Sequence, residues 1–147
     1  IAVLMPKGVD AEARKRAEEL SALAGAAKTF TAGLLGNVDF PVRLVAVQRG
    51  GGFADGGTIL ISDAVFRRQK LDSLTAMSIA EAMAKVWLGN AATVRGEGFG
   101  VVREGLARYI ATQFVEKQFG REAAELERYR QRIAYTAVAK RDAPLNM

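Results

Sequence analysis

The sequence predicts an α+β domain, with a small mixed sheet in its first half packed against a mainly helical second half. Three observations predict it. Short β-type runs bounded by Pro and Gly stand at 1–5, 40–47 and 58–61 and nowhere later. Apolar residues recur at helical spacing over 11–35 and again in three segments between residues 72 and 139. The 147 residues hold no internal repeat or low-complexity tract, and that length suits one domain with its own core. The single domain 1–147 divides into a sheet-containing half, 1–70, and a helical half, 71–147.

Residues 1–5 read as a strand stopped by Pro6, Lys7 and Gly8. Asp10 is placed to cap a helix whose first turn carries Glu12, where the helix dipole favours negative charge. That helix runs from Ala11 to about Leu35, with Leu20, Leu23, Ala27, Phe30 and Leu34 as its buried face, and Gly36-Asn37 ends it. Phe40 to Val47 reads as a strand with Pro41 at its start, Val42, Leu44 and Ala46 sharing one face. Gly50 to Gly57 is expected as a loop, Thr58–Ile61 as a strand and Ala64–Arg68 as a short helical turn. A helix capped by Asp72 or Ser73 runs to about Leu88, with Leu74, Met77, Met83 and Trp87 as its apolar bulk. The next spans about Gly100–Phe119, with Val101, Leu106, Tyr109, Ile110 and Phe114 as core candidates, and Gly120 closes it. The last, about Arg121–Ala139, has a thin stripe of Leu126, Tyr129, Ile133 and Val138.

The chain has neither Cys nor His. Disulfides and thiolate metal sites are therefore excluded, as are Ser-His-Asp and Cys-His nucleophiles. Catalytic zinc is usually held by at least one imidazole or thiolate, and neither is on offer. The formal charge is +5, but bases and acids alternate: Arg14 and Lys15 stand near Glu18 and Glu19, and Arg128, Arg130 and Arg132 near Glu125 and Glu127. Such mixing predicts a solvated surface and no nucleic-acid interface, which gathers bases on one face among stacking aromatics. No apolar run approaches the ~20 residues that span a bilayer, so no membrane insertion is expected. The chain opens on Ile1, which predicts a processed or excised segment ending around Asp142–Leu145; a removed leader would put it in the cell envelope or outside.

The stretch Ile79–Tyr109 organises the second half as helix, glycine-marked loop and helix. Within it, Trp87-Leu88-Gly89-Asn90 resembles the end of the H-E-x-x-H-x-W-x-G-N helix of the gluzincin zinc aminopeptidases, the membrane alanyl aminopeptidase type. That alignment puts Glu81 and Lys85 at the two His ligand positions and Ala82 at the general-base position. Glu104-Gly105, nineteen positions after Lys85, stands where the family's N-E-G supplies the third ligand. Leu35–Pro41 resembles the F-G-x-Y-P-Y-P turn, and Gly51, Gly52, Phe53, Ala54 and Asp55 with Gly56-Gly57 resemble G-A-M-E-N-W-G, with Ala54 replacing the Glu that binds a substrate's amino group. The likeness in order and spacing covers most of residues 1–120.

What the resemblance implies is a thermolysin-like, zincin-type fold. In the family, two His at i and i+4 share one zinc and the neighbouring Glu acts as general base on its water. Here a protonated Lys85 would repel a dication, Ala82 offers no base, and Glu81 with Glu104 would hold a hard cation only weakly, since such sites need several more oxygens. The expectation is a non-catalytic homologue with no cofactor and no zinc, serving as a structural or peptide- or protein-binding domain, with Gly51–Asp55 as its peptide cleft. The alternatives are a functional zinc aminopeptidase whose ligands come from outside this chain, and a hydrolase using Glu81 and Glu104 as an acid–base pair, which needs one raised carboxyl pKa that Lys85 opposes. At the vestigial metal position, Lys85 is expected to bridge Glu81 and Glu104; the alternatives are that Glu81 and Lys85 are simply solvated, or that Glu104 pairs with Arg108 on its own helix.

Overall fold

The computed structural model describes residues 1–39, 41–51, 53–91, 95–139 and 141. Phe40, Gly52 and the expected boundary at 142–145 lie outside the described residues. Among the described residues are four strands, β1 (Ala2–Leu4), β2 (Arg43–Val47), β3 (Phe53–Asp55) and β4 (Thr58–Ser62), and four α-helices, α1 (Ala11–Leu35), α2 (Ser73–Val86), α3 (Phe99–Phe119) and α4 (Arg121–Val138). The domain is α+β, and its small sheet is mixed. The strand order is β1-β2-β4-β3, with β1, β2 and β4 parallel and β3 antiparallel to β4.

Parallel neighbours need a crossover, and α1 supplies it between β1 and β2. Asp10 caps this helix by accepting from the Ala13 amide at 2.8 Å. Its buried stripe is Leu20, Ala24, Ala27 and Thr31, not the expected line through Leu34. Leu34 is exposed, and Leu23 and Phe30 are only half-buried. The small residues are buried because they let α1 lie close to its neighbours; the larger Phe30 reaches sideways to Phe114, ring centroids 5.7 Å apart.

β3 corrects the reading of 50–57 as one loop. Asp55 pairs with Thr58 across a two-residue turn in which Gly56 and Gly57 both have positive φ, 53° and 84°. That is the geometry of a tight hairpin, and glycine is what permits it. Phe53-Ala54-Asp55 is too short to show an alternating pattern, so only the turn betrays the strand. After β4, Asp63–Arg67 forms a 3-10 turn capped by Ser62.

α2 lies between the sheet and α3. Asp72 caps it through the Thr75 amide at 2.9 Å, and a single π-helical turn, Trp87–Ala91, extends it. The buried Trp87 indole donates to the Gly36 carbonyl at 2.8 Å, pinning the end of α2 to the end of α1. The main core joins Leu20, Leu44, Ile59, Ile79, Met83, Trp87 and Phe114. Leu74, Val101 and Tyr109, expected inside, are exposed, while Met77, Ile110 and Phe114 are buried as expected and Leu106 is half-buried.

α4 departs furthest from expectation. Its stripe of Leu126, Tyr129, Ile133 and Val138 is exposed. The helix rests on α3 through Ala124, through Arg128 bound to Glu116 at 2.7 Å, and through Gln131 donating to Thr112 at 3.1 Å. Gly120 joins the two helices directly. Those polar contacts on α3 fix the rotation of α4 and turn its apolar side outward.

Candidate functional site

The candidate site lies where α2 and α3 face each other. Glu81 and Lys85 are one helical turn apart on α2, so their side chains leave the same face. Glu104, a turn into α3, points back at them. The Lys85 Nζ lies 3.3 Å from Glu81 Oε1 and 2.5 Å from Glu104 Oε2. Arg108, one turn further along α3, does not pair with Glu104; it crosses to Glu81, 3.1 Å from Oε2 and 3.2 Å from Oε1. The result is a chain of ion pairs, Glu104–Lys85–Glu81–Arg108, stitching α2 to α3. Its inner members are largely shielded: the Glu81 and Lys85 side chains are 14% and 16% exposed, whereas that of Glu104 is 55% exposed.

The sequence locates Glu81, Lys85 and Glu104 together, and the structure brings them together. It also adds Arg108 in a role that sequence spacing points away from, since Glu104 and Arg108 are an i, i+4 pair on one helix. A groove runs from this set between α3 and α4, lined by Glu81, Glu104, Gly105, Tyr109, Thr112 and Gln131. The α4 contribution carries no signal in the sequence.

Ala82 and Ala54 do not face this charged set. Both are buried in the same apolar cluster as Ile59, Met83 and Trp87. A carboxylate at either place would sit among apolar atoms without a partner. Asp55 is exposed at the hairpin, and Phe53 is the first residue of β3. β3 is an edge strand, its only partner among the described residues being β4.

Gly51 lines a pocket of about 250 Å³ together with Gly50, Ile61, Val65, Leu74 and Ser78. Its φ is +140°, and a Cβ there would stand 2.9 Å from the Ser62 backbone nitrogen. Glycine is therefore required for β4 and this loop to approach so closely. Leu74, Ser78, Glu81 and Lys85 fall at i, i+4, i+7 and i+11 along α2, so one helix face runs from this pocket to the ion set. Arg68 and Thr75 also line this pocket. Burial pushes the Asp72 carboxyl up, but the Thr75 amide and hydroxyl and the Arg68 guanidinium outweigh it and hold the group below its ordinary value.

Among the described residues, no three or more His, Cys, Asp or Glu side chains cluster in a way that could hold a metal ion, and no helix is long and apolar enough to cross a membrane. Comparison with protein-family models, with curated proteins and with solved structures finds no match to this chain.

Proposed function

We propose that this chain is a non-catalytic homologue of the gluzincin zinc aminopeptidases, with a thermolysin-like architecture, in which an ammonium group replaces the metal as the link between α2 and α3. The observation that carries the reading is the position of Lys85, 3.3 Å from Glu81 and 2.5 Å from Glu104; the resemblance in spacing aligns these three residues with the family's ligands. The donor set does not fit zinc: the Lys85 ammonium occupies the space between the two carboxylates and repels a dication, and the imidazoles that catalytic sites use are lacking. Ala82 removes the general base and Ala54 the amine anchor, so hydrolysis and substrate anchoring fail separately.

The role that remains is binding of a peptide or protein segment. The free edge of β3 offers main-chain hydrogen bonds. The pocket beside Gly51 offers an apolar socket with Leu74 and Ile61, on the α2 face that also carries the ion set.

The test is metal content after incubation with excess zinc and desalting, measured on the wild type and on Glu81→His/Lys85→His. The expected result is almost no zinc in the wild type and close to one equivalent in the double variant, since His at i and i+4 with Glu104 rebuilds the family's set. Stoichiometric zinc in the wild type overturns the loss of the site. Absence of zinc from a folded double variant overturns the alignment itself. The binding role is tested by titrating short apolar peptides and following the amide signals of Gly51, Ala54 and Asp55; no shift at saturating peptide removes it.

A further inference from the structure

We infer that α4 pairs with α4 of a second copy of this chain, antiparallel, about a two-fold axis near Gln131. The starting point is the rotation of α4. Leu126, Tyr129, Ile133 and Ala137 fall at i, i+3, i+7 and i+11 and all are exposed. The first three have the spacing of a two-helix seam, and Ala137 continues the same helix face. Meanwhile the face turned to α3 is built from Ala124, Glu127, Arg128 and Gln131. A helix that seats its polar side inward and its apolar side outward leaves that apolar side for another surface. Among the described residues no other element of the chain packs on it.

Charge selects the occupant and its direction. Residues 121–129 hold two exposed acids, Glu122 and Glu125, outside the face turned to α3. Residues 130–138, the rest of α4, hold two bases, Arg130 and Arg132, and no acid. One copy's acidic half therefore complements the other's basic half only when the helices run in opposite directions, which also opposes their dipoles. A parallel pair would set basic half on basic half. The antiparallel register that matches the seam places Tyr129 of one copy opposite Ile133 of the other, the self-complementary pattern a two-fold interface requires. Arg130 falls near the axis, and its charge is already met within its own helix by Glu127 at 2.6 Å.

Because the chain has no Cys, single introduced thiols report geometry without background. The experiment measures mass by sedimentation up to about 100 µM for the wild type and Ile133→Glu, and disulfide formation under mild oxidation for Arg130→Cys and Glu122→Cys. The proposal expects a wild-type dimer that Ile133→Glu weakens at least about tenfold, because the new charge would be buried in the seam. It expects cross-linking through Arg130→Cys and none through Glu122→Cys, whose two copies would stand about 27 Å apart at 1.5 Å per residue. A wild type that stays monomeric overturns the inference and leaves the stripe to a different partner. So does a dimer indifferent to Ile133→Glu, or one that cross-links equally well through Glu122→Cys, which would be parallel.

Discussion

Replacing Lys85 by Met tests the centre of the site, because it keeps the stem of the side chain and deletes only its charge. Breaking a buried ion pair by removing one partner typically costs about 3–5 kcal/mol. Two features reduce that here. Glu81 keeps Arg108 at 3.1 Å, so it is not left alone. Glu104 is more than half exposed and regains water, as an exposed pair would, at about 0–1 kcal/mol. The cost should therefore settle near 2 kcal/mol, most of it from Glu81 losing one of two cations in a shielded place. For a domain of this length that is a fall in Tm of about 4–8 °C.

The assay is thermal and urea unfolding followed by circular dichroism, run as a cycle with Glu104→Gln and the double variant. Lys85 and Glu104 touch, so their effects should not add; a coupling of about 1 kcal/mol is expected. Removing the cation should hurt less once Glu104 is neutral, since one of the two carboxylates it serves has gone. A Lys85→Met chain that melts within a degree of the wild type refutes the bridge as a structural link. So does a coupling of zero, which would mean that the 2.5 Å contact is replaced by water in solution.

Four further outcomes follow from single residues. Ala82→Glu should lower stability by about 2–4 kcal/mol rather than restore a base, because the side chain would enter the apolar cluster; a melt near the wild type's would show that the site opens to solvent there. Gly51→Ala should cost about 1–3 kcal/mol from its φ of +140° and the close Ser62 nitrogen, whereas Gly25→Ala, in open space within α1, should gain about 0.5–1 kcal/mol; chemical denaturation distinguishes the two signs. Asp72 has a depressed native pKa, so its contribution is present above the ordinary aspartate value of 3.8 and is lost as pH falls through the lower, folded value; an Asp72→Asn chain should show a shallower loss of stability over that acid range. Trp87→Phe removes the donor to Gly36 and should cost about 1–2 kcal/mol by urea melts.

Some of these residues are legible in the sequence and others are not, for reasons that are physical. Asp10 and Asp72 announce their helices because capping is a local interaction, completed within three residues. The Glu81–Lys85 pair is local too, and the resemblance in spacing is what links it to Glu104. Arg108 is harder: two acids lie within its reach, one on its own helix and one across the gap, and the shielded Glu81 is the acceptor that the α2–α3 separation presents. β3 has only three residues, and its signal is confined to Gly56-Gly57. For α1, periodicity yields the right helix and a displaced face, since alanines rather than leucines set the close approach.

The apolar stripe of α4 is plain in the sequence, but a stripe need not face its own core. Burial is decided by what lies opposite, and opposite Leu126, Tyr129 and Ile133 there is no described element of this chain. The inner contacts instead bury Ala124 and satisfy Arg128 and Gln131 on α3. Turning the helix to bury its stripe would detach both polar side chains and leave Thr112 and Glu116 without those partners. A sequence can hold both faces at once only if each has somewhere to go. One of those places is α3, already occupied, and the order of acids before bases along α4 points to the other being a second α4 running the opposite way.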